Sequence, residues 1–326
     1  MERDAVVGKA VVGRGLKVNV VSVMNYKGGV AKTTVTANLG ALLASRKYRV
    51  LLIDLDPQSS LTYSFYRPTS TAELVEGHKT IKQWFDEFSA GQGDTELVDL
   101  VLTPPEVLER IPSEGALDII ASHLGLINVD LDLAGQLIGR QPTARFLGVH
   151  SRLREGLRNG SLDGYDVVLI DCPPNFNIVT KTAIVASDHL LIPSRADDLS
   201  TLGINYLLDS VKGLVHEYND CVAATSRSSF ARQRIDPQVL GVVFTMVGVR
   251  GQAAQKVNQE FMSKVRRELE IETFDNFLRF SQSPYAVATK SGVPLAIARD
   301  TPRVILNELN GLADEFVSHL GLRGDV

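Results

Sequence analysis

The segment Asn25-Tyr-Lys-Gly-Gly-Val-Ala-Lys-Thr-Thr34 places two lysines, two adjacent glycines and two threonines between an apolar run and a helix-forming stretch. These residue types at this spacing suit one chemistry well, the holding of phosphate. Gly28 and Gly29 let successive backbone N–H groups curl around oxygens, and the helix N-terminus that follows adds partial positive charge. Lys32 is spaced to reach β- and γ-phosphates, and the Thr33 hydroxyl to ligate Mg²⁺. On this reading Gly28, Gly29, Val30, Ala31, Lys32, Thr33 and Thr34 line a nucleotide. The general pattern G-x-x-x-x-G-K-[ST] asks for glycine at positions 26 and 31, where this chain has Tyr26 and Ala31. If position 31 needs a positive φ, alanine there costs about 1 kcal/mol or more.

Other reactive side chains are fewer. Two cysteines, Cys172 and Cys221, cannot build a disulfide framework or a four-thiolate metal site within one chain. Cys172 ends an apolar run and reads as a small buried hydrophobe rather than a nucleophile. The six histidines show no metal-ligand spacing, which argues against zinc.

The elements that must position the loop alternate along the chain. Lys17–Met24, Arg49–Leu55, Tyr165–Ile170, Asp188–Pro193, Val239–Met246 and Ile271–Phe277 read as strands, being short and mostly β-branched or aliphatic. Lys32–Arg46, Thr182–Ala186, Leu199–Val215, Ala253–Leu269 and Thr301–Leu320 read as helices, the first with Val35, Leu39, Leu42 and Leu43 on one stripe. Such alternation implies βαβ crossovers and a mainly parallel sheet with helices on both faces, an α/β fold. Residues 1–16 read as an N-terminal extension and 17–326 as a single domain. A helical elaboration follows the second strand over about 66–114, with helices at Ile81–Phe88 and Glu96–Leu102. Residues of about 220–237 read as an exposed basic loop.

With 326 residues, 44% of them hydrophobic, the chain can bury a sizeable core, and no apolar run approaches the ~20 residues that span a bilayer. No signal-peptide pattern is present, so the expectation is a cytoplasmic globular protein. The net charge of −4 argues against an undirected nucleic-acid coat, yet Arg227–Arg303 carries 12 Lys and Arg against seven Asp and Glu. That segment reads either as a phosphate-binding face or as scattered solvated charge.

Lys27-Gly-Gly-Val-Ala-Lys-Thr-Thr34 resembles the deviant Walker A motif of the ParA/MinD ATPases, K-G-G-x-G-K-[ST], from which only Ala31 departs. Leu51-Leu-Ile-Asp-Leu-Asp-Pro-Gln-Ser-Ser-Leu-Thr62 is similar to that family's second motif and switch I. Val167-Val-Leu-Ile-Asp-Cys-Pro-Pro174 is similar to its Walker B strand and switch II. Weaker similarity runs through Leu190–Pro193, Gly241–Met246 and Ser291–Pro294. The resemblance implies a P-loop NTPase fold and ATP with Mg²⁺ as ligands. Position by position, it makes Lys27 the signature lysine that reaches a partner subunit's ATP, so that hydrolysis depends on dimerisation. Asp56 becomes the carboxylate that orients the attacking water, with Lys32 beside it, while Asp54 supports the loop. Asp171 becomes the Walker B carboxylate that holds Mg²⁺ through water. Thr245 and Met246 become adenine-pocket candidates, with core packing an equal reading for Met246.

Within this family the chain is similar to the ParA/Soj-type partitioning ATPases. Arg303–Leu320 carries Asn307, Glu308, Asp314 and Glu315 on its polar face, which anionic lipid would repel, so no membrane anchor is expected there. No Cys-x-x-Cys and no tyrosine cluster is present, and the short N-terminus leaves no room for a helix-turn-helix domain. The resemblance therefore implies a homodimer on ATP that binds DNA non-specifically, associates with the nucleoid and is discharged by a ParB-like or other activating protein. Arg227, Arg232, Arg234, Arg250, Lys256, Arg266, Arg267 and Arg279 are the DNA-binding candidates, although Arg266-Arg267 reads equally as a solvated helix face. Two other function classes stay open, a small-molecule phosphotransferase or ligase and a weakly hydrolysing nucleotide-gated switch.

Overall fold

Short, mostly aliphatic stretches, too short for helices, form the strands of the computed structural model, which describes residues 18–66, 79–93, 95–225, 233–251, 253–281 and 292–322. They are β1 (Asn19–Val23), β2 (Arg49–Asp54), β3 (Ala116–Ile120), β4 (Val167–Asp171), β5 (His189–Arg195) and β6 (Gln238–Thr245). All are parallel, in the order β3-β2-β4-β1-β5-β6. A small antiparallel hairpin, β7 (Val249–Arg250) with β8 (Ala253–Ala254), follows β6.

The helices in chain order are α1 (Lys32–Ser45), α2 (Ser60–Tyr63), α3 (Ile81–Ser89), α4 (Pro105–Leu108), α5 (Leu126–Leu137), α6 (Pro142–His150), α7 (Arg152–Leu157), α8 (Ile178–Ala186), α9 (Asp198–Ala223), α10 (Lys256–Glu268) and α11 (Arg303–Leu320). Alternation along each strand feeds two separate cores. Val20, Leu51 and Ile53 face one, with α3 and α5 to α10; Val21, Val23, Val50 and Leu52 face the other, with α1 and α11. Helices on both faces are what a parallel sheet of apolar strands requires. α11 buries Ile305, Leu309, Leu312, Ala313 and Phe316, so its apolar stripe is core. Among the described residues no helix is long and apolar enough to cross a membrane.

Besides β3, which the sequence reading did not expect, three elements depart from the sequence expectations. Ile271–Phe277 is not a strand. It runs beside the outer edge of β6 with a single bridge, Thr273 to Val242, because Glu315 of α11 takes the N–H groups of Asp275 and Asn276 at 2.6 and 2.7 Å. α9 continues past Val215 to Ala223, into the segment expected as loop. Asn219 there exchanges two hydrogen bonds with the Ile235 backbone (2.8 and 2.9 Å), drawing the far end of that segment against the helix. The helical layer after β2 also extends further than about residue 114, since α5, α6 and α7 follow β3.

Candidate nucleotide-binding site

β1 sits between β4 and β5 at the centre of the sheet, and its C-terminal end opens directly into the loop of residues 24–31. Such a crossing point of strand order is where parallel sheets bind ligands. Asn25 fastens the loop at its start. Its amide donates to the Pro193 carbonyl at the end of β5 (2.8 Å) and its Oδ1 accepts the Lys27 N–H (2.9 Å). At its end the Thr245 hydroxyl donates to the Val30 carbonyl (3.0 Å), with the Ser194 carbonyl at 3.3 Å. Thr245 is thus tied to the loop backbone, and Met246 after it has φ 52°.

Above Gly28 and Gly29 a built Cβ would meet no atom within 4 Å, and Gly29 has φ 69°, so the loop backbone borders open space. Ala31 has φ 62° and ψ 29°, the left-handed conformation for which the motif uses glycine. It precedes α1, where no side chain caps the free N–H groups. The Lys32 amine donates to the Lys27 carbonyl at 3.2 Å, an uncharged stand-in for a phosphate oxygen. Burial pushes its pKa down, against the pull of Asp171 and then Asp56. Gly28, Gly29, Val30, Ala31, Lys32, Thr33 and Thr34 therefore do lie on one cradle and the first turn of α1.

Two carboxylates lie side by side below it. Asp54 ends β2, Asp171 ends β4, and the two are register partners. Both are wholly buried, and both are pushed well above the usual carboxylate range, chiefly by that burial; for Asp171 the nearby Asp54 adds to it. Asp171 accepts from the Thr33 hydroxyl at 2.7 Å and from Thr36 at 3.2 Å. A buried carboxylate beside a threonine hydroxyl at the foot of an open cradle fits Mg²⁺, which takes one or two such ligands and fills the rest with phosphate and water. Asp54 is used differently: Oδ2 accepts the Thr62 N–H (2.8 Å) and hydroxyl (2.7 Å), and Oδ1 the Asp56 N–H (3.1 Å). The Asp56 carboxylate stays half-exposed, accepting the Gln58 N–H at 2.9 Å. The Cys172 thiol is fully buried and pushed up to about 12, first by burial and then by Asp171, which removes it as a nucleophile.

Lys27 points away from the cradle. Its amine lies 2.9 Å from both oxygens of Asp197 and 3.2 Å from the Ser200 hydroxyl. Asp197 also caps α9, accepting the Ser200 N–H at 2.9 Å. Thr36, Ser122, Asp197 and Ser200 also bear on this site and were missed by sequence reasoning, while Asn25 and Thr62 lay inside the quoted motifs without an assigned role. Only Asn25 carried a local signal, an Asx turn before two glycines.

The basic candidates do not share one face. Arg234 lies before β6 and Arg250 after it, towards opposite ends of a strand roughly 23 Å long at ~3.3 Å per residue. Arg250, Lys256 and Arg267 are exposed, and the α10 start is held to the nucleotide edge by Asn258, which donates to the Ala196 carbonyl (3.3 Å). Arg266 is engaged by Thr273, the Phe274 carbonyl and Asp275. Arg279 forms a shielded ion pair with Glu308 at 2.6 Å, which makes it a structural cation. Arg227 and Arg232 lie outside the described residues.

A central β1, a glycine cradle leading into α1, and Thr33 bonded to a strand-terminal aspartate define a P-loop nucleotide-binding protein. A family model described as an AAA domain matches residues 18–224, and the chain belongs to that family, as a member of the ParA/MinD superfamily of deviant Walker A P-loop ATPases. It is 33% identical over 210 residues to a putative replication protein A of Rhizobium rhizogenes, covering 64% of this chain and 48% of that protein, so the match spans about half of the relative's length. It is 27% identical over 266 residues to the chromosome partitioning protein ParA of Caulobacter vibrioides, covering 81% of this chain and 83% of that one. A solved Cyanothece McdA–ATP complex superposes with a TM-score of 0.67 at 21% identity, over 95% of this chain and 98% of that one, a likeness of fold.

Proposed function

We propose that the chain is a partitioning or positioning ATPase that dimerises on ATP, binds DNA without sequence preference in that state, and releases it when an activating protein stimulates hydrolysis. The observation that carries the reading is the convergence of three strand ends: Lys32 and Thr33 from the β1 loop, Asp56 after β2 and Asp171 on β4. Similarity to a chromosome partitioning protein supports the cellular role.

The roles are those the family resemblance implies, carried onto this geometry. Backbone N–H groups of Gly28 to Thr33 and the Lys32 amine hold the phosphates of ATP, the Lys32 charge moving from the Lys27 carbonyl to a phosphate oxygen. Thr33, and Asp171 through water, would hold Mg²⁺, which would offset the charge of the phosphate oxygens. Asp56, half-exposed beside the cradle, orients water for attack. Lys27 gives up Asp197 and crosses to a partner subunit's nucleotide, so neither subunit hydrolyses alone. Exposed Arg250, Lys256 and Arg267 supply DNA phosphate contacts near the nucleotide edge.

Light scattering and ATP turnover with and without Mg²⁺–ATP test this directly. Wild type becomes a dimer on ATP, Lys27→Ala stays monomeric and inactive, and Asp56→Ala accumulates as an ATP-bound dimer. Normal dimerisation and turnover by Lys27→Ala overturns the reading. Turnover that rises only with a small-molecule acceptor points to the phosphotransferase class instead.

A further inference from the structure

The main chain of Asp56 is gripped at both ends, by Asp54 and Ser59 within its own motif and by Ser122 from beyond β3. Its N–H donates to Asp54 Oδ1 at 3.1 Å; its carbonyl accepts the Ser122 hydroxyl at 2.8 Å and the Ser59 N–H at 2.8 Å. The Thr62 hydroxyl donates to Asp54 Oδ2 at 2.7 Å and accepts the Ser122 N–H at 3.0 Å. Asp54, Thr62 and Ser122 are each wholly buried, so the ring Asp56–Asp54–Thr62–Ser122–Asp56 meets solvent only at Asp56. Each hydroxyl donates once, Thr62 to Asp54 and Ser122 to Asp56. Buried networks satisfied in this way fix geometry, and a change of one member leaves others unpaired.

The geometry assigns Thr62 and Ser122 as positioning residues for hydrolysis, which hold the Asp56 backbone so that its carboxylate meets the attacking water. The assignment rests on the reading of Asp56 given above. Neither residue touches the cradle. Thr62 lies eight residues beyond Asp54, in α2, and Ser122 lies just past β3. Ser122 follows Ala121, which is bridged to Thr80 at the start of α3, so two consecutive residues touch the helical layer and the Asp56 carbonyl. A displacement of the water-orienting group by an ångström is enough to cost a large factor in rate while nucleotide binding is untouched.

The test compares Thr62→Val, Thr62→Ser, Ser122→Ala and Asp56→Ala in the full chain. Turnover of ATP is measured alongside affinity for a fluorescent ATP analogue and thermal melting. Thr62→Val lowers kcat about 10- to 100-fold and Ser122→Ala about 3- to 10-fold, with nucleotide affinity within about threefold of wild type. Thr62→Ser, which keeps the hydroxyl, restores kcat. In single-turnover measurements Thr62→Val combined with Asp56→Ala is no slower than Asp56→Ala alone, because both act through one group. Should Thr62→Val fail to fold, Ser122→Ala, alone and combined with Asp56→Ala, carries the same comparison. Wild-type kcat in Thr62→Val and Ser122→Ala with Asp56→Ala inactive overturns the inference and leaves Asp56 standing. Wild-type kcat in Asp56→Ala removes the role of Asp56 itself, and the inference with it.

Discussion

Ala31, at φ 62°, carries a Cβ that crowds its own following carbonyl, a strain glycine does not feel. Ala31→Gly is therefore expected to raise stability by about 0.5–1 kcal/mol despite the added freedom of the unfolded chain. Denaturant melts with and without ATP check this. An equal gain in both states places the strain in the fold, and a larger gain with ATP places it in the nucleotide-bound loop. Cys172→Ala tests the other residue beside the site. It should cost about 1 kcal/mol for lost packing in a filled core and leave turnover unchanged. The loop, its lysines and Asp171 were legible in the sequence because their chemistry is local: a glycine cradle needs its neighbours at fixed offsets. Asp197, Ser122 and Thr36 were not. Each meets its partner across tens of residues, and a lone Ser, Thr or Asp carries no signature of the contact it will make.

At the scale of elements, β3 went unread because Asp118 interrupts its aliphatic run Ala-Leu-Asp-Ile-Ile. The fold satisfies that carboxylate with the hydroxyls of Thr103 and Tyr165, neither visible from spacing. The reverse failure occurred at Ile271–Phe277, whose alternation reads as strand until Glu315 intercepts its N–H groups. The α6–α7 corner makes a pH prediction. His150 is buried at the end of α6, stacked on Phe146, its Nδ1 at 2.9 Å from the Phe146 carbonyl and its Nε2 without a hydrogen-bond partner among the described residues. Burial, opposed by that hydrogen bond and assisted by Lys181, lowers its pKa from 6.5 to about 4. A histidine with a depressed folded-state pKa binds fewer protons folded than unfolded, so its contribution is present above 6.5 and is lost as pH falls towards 4. The loss is on the order of 3 kcal/mol at most. His150→Phe should flatten the stability curve between pH 6.5 and 4, as urea melts across that range will show. An unchanged slope would mean that His150 is open to solvent.

Across the whole molecule, two cores separated by one parallel sheet were legible, since strand–helix alternation admits few other solutions. The distribution of charge over the surface was not. A basic stretch of sequence spreads to both ends of β6, and Arg279 turns inward to Glu308. Arg250→Ala with Lys256→Ala is accordingly expected to weaken DNA binding and reduce the slope of log affinity against log salt by about 2. Arg279→Ala should instead lower the melting temperature. Filter binding over a salt series distinguishes the two. The central claim, that ATP gates a DNA-binding dimer, is tested most directly by co-sedimentation with non-specific duplex DNA in the absence of nucleotide, with ADP and with ATP–Mg²⁺. The account predicts sedimentation with ATP–Mg²⁺ alone. Equal binding in all three states, or none in any while ATP turnover is intact, would contradict it.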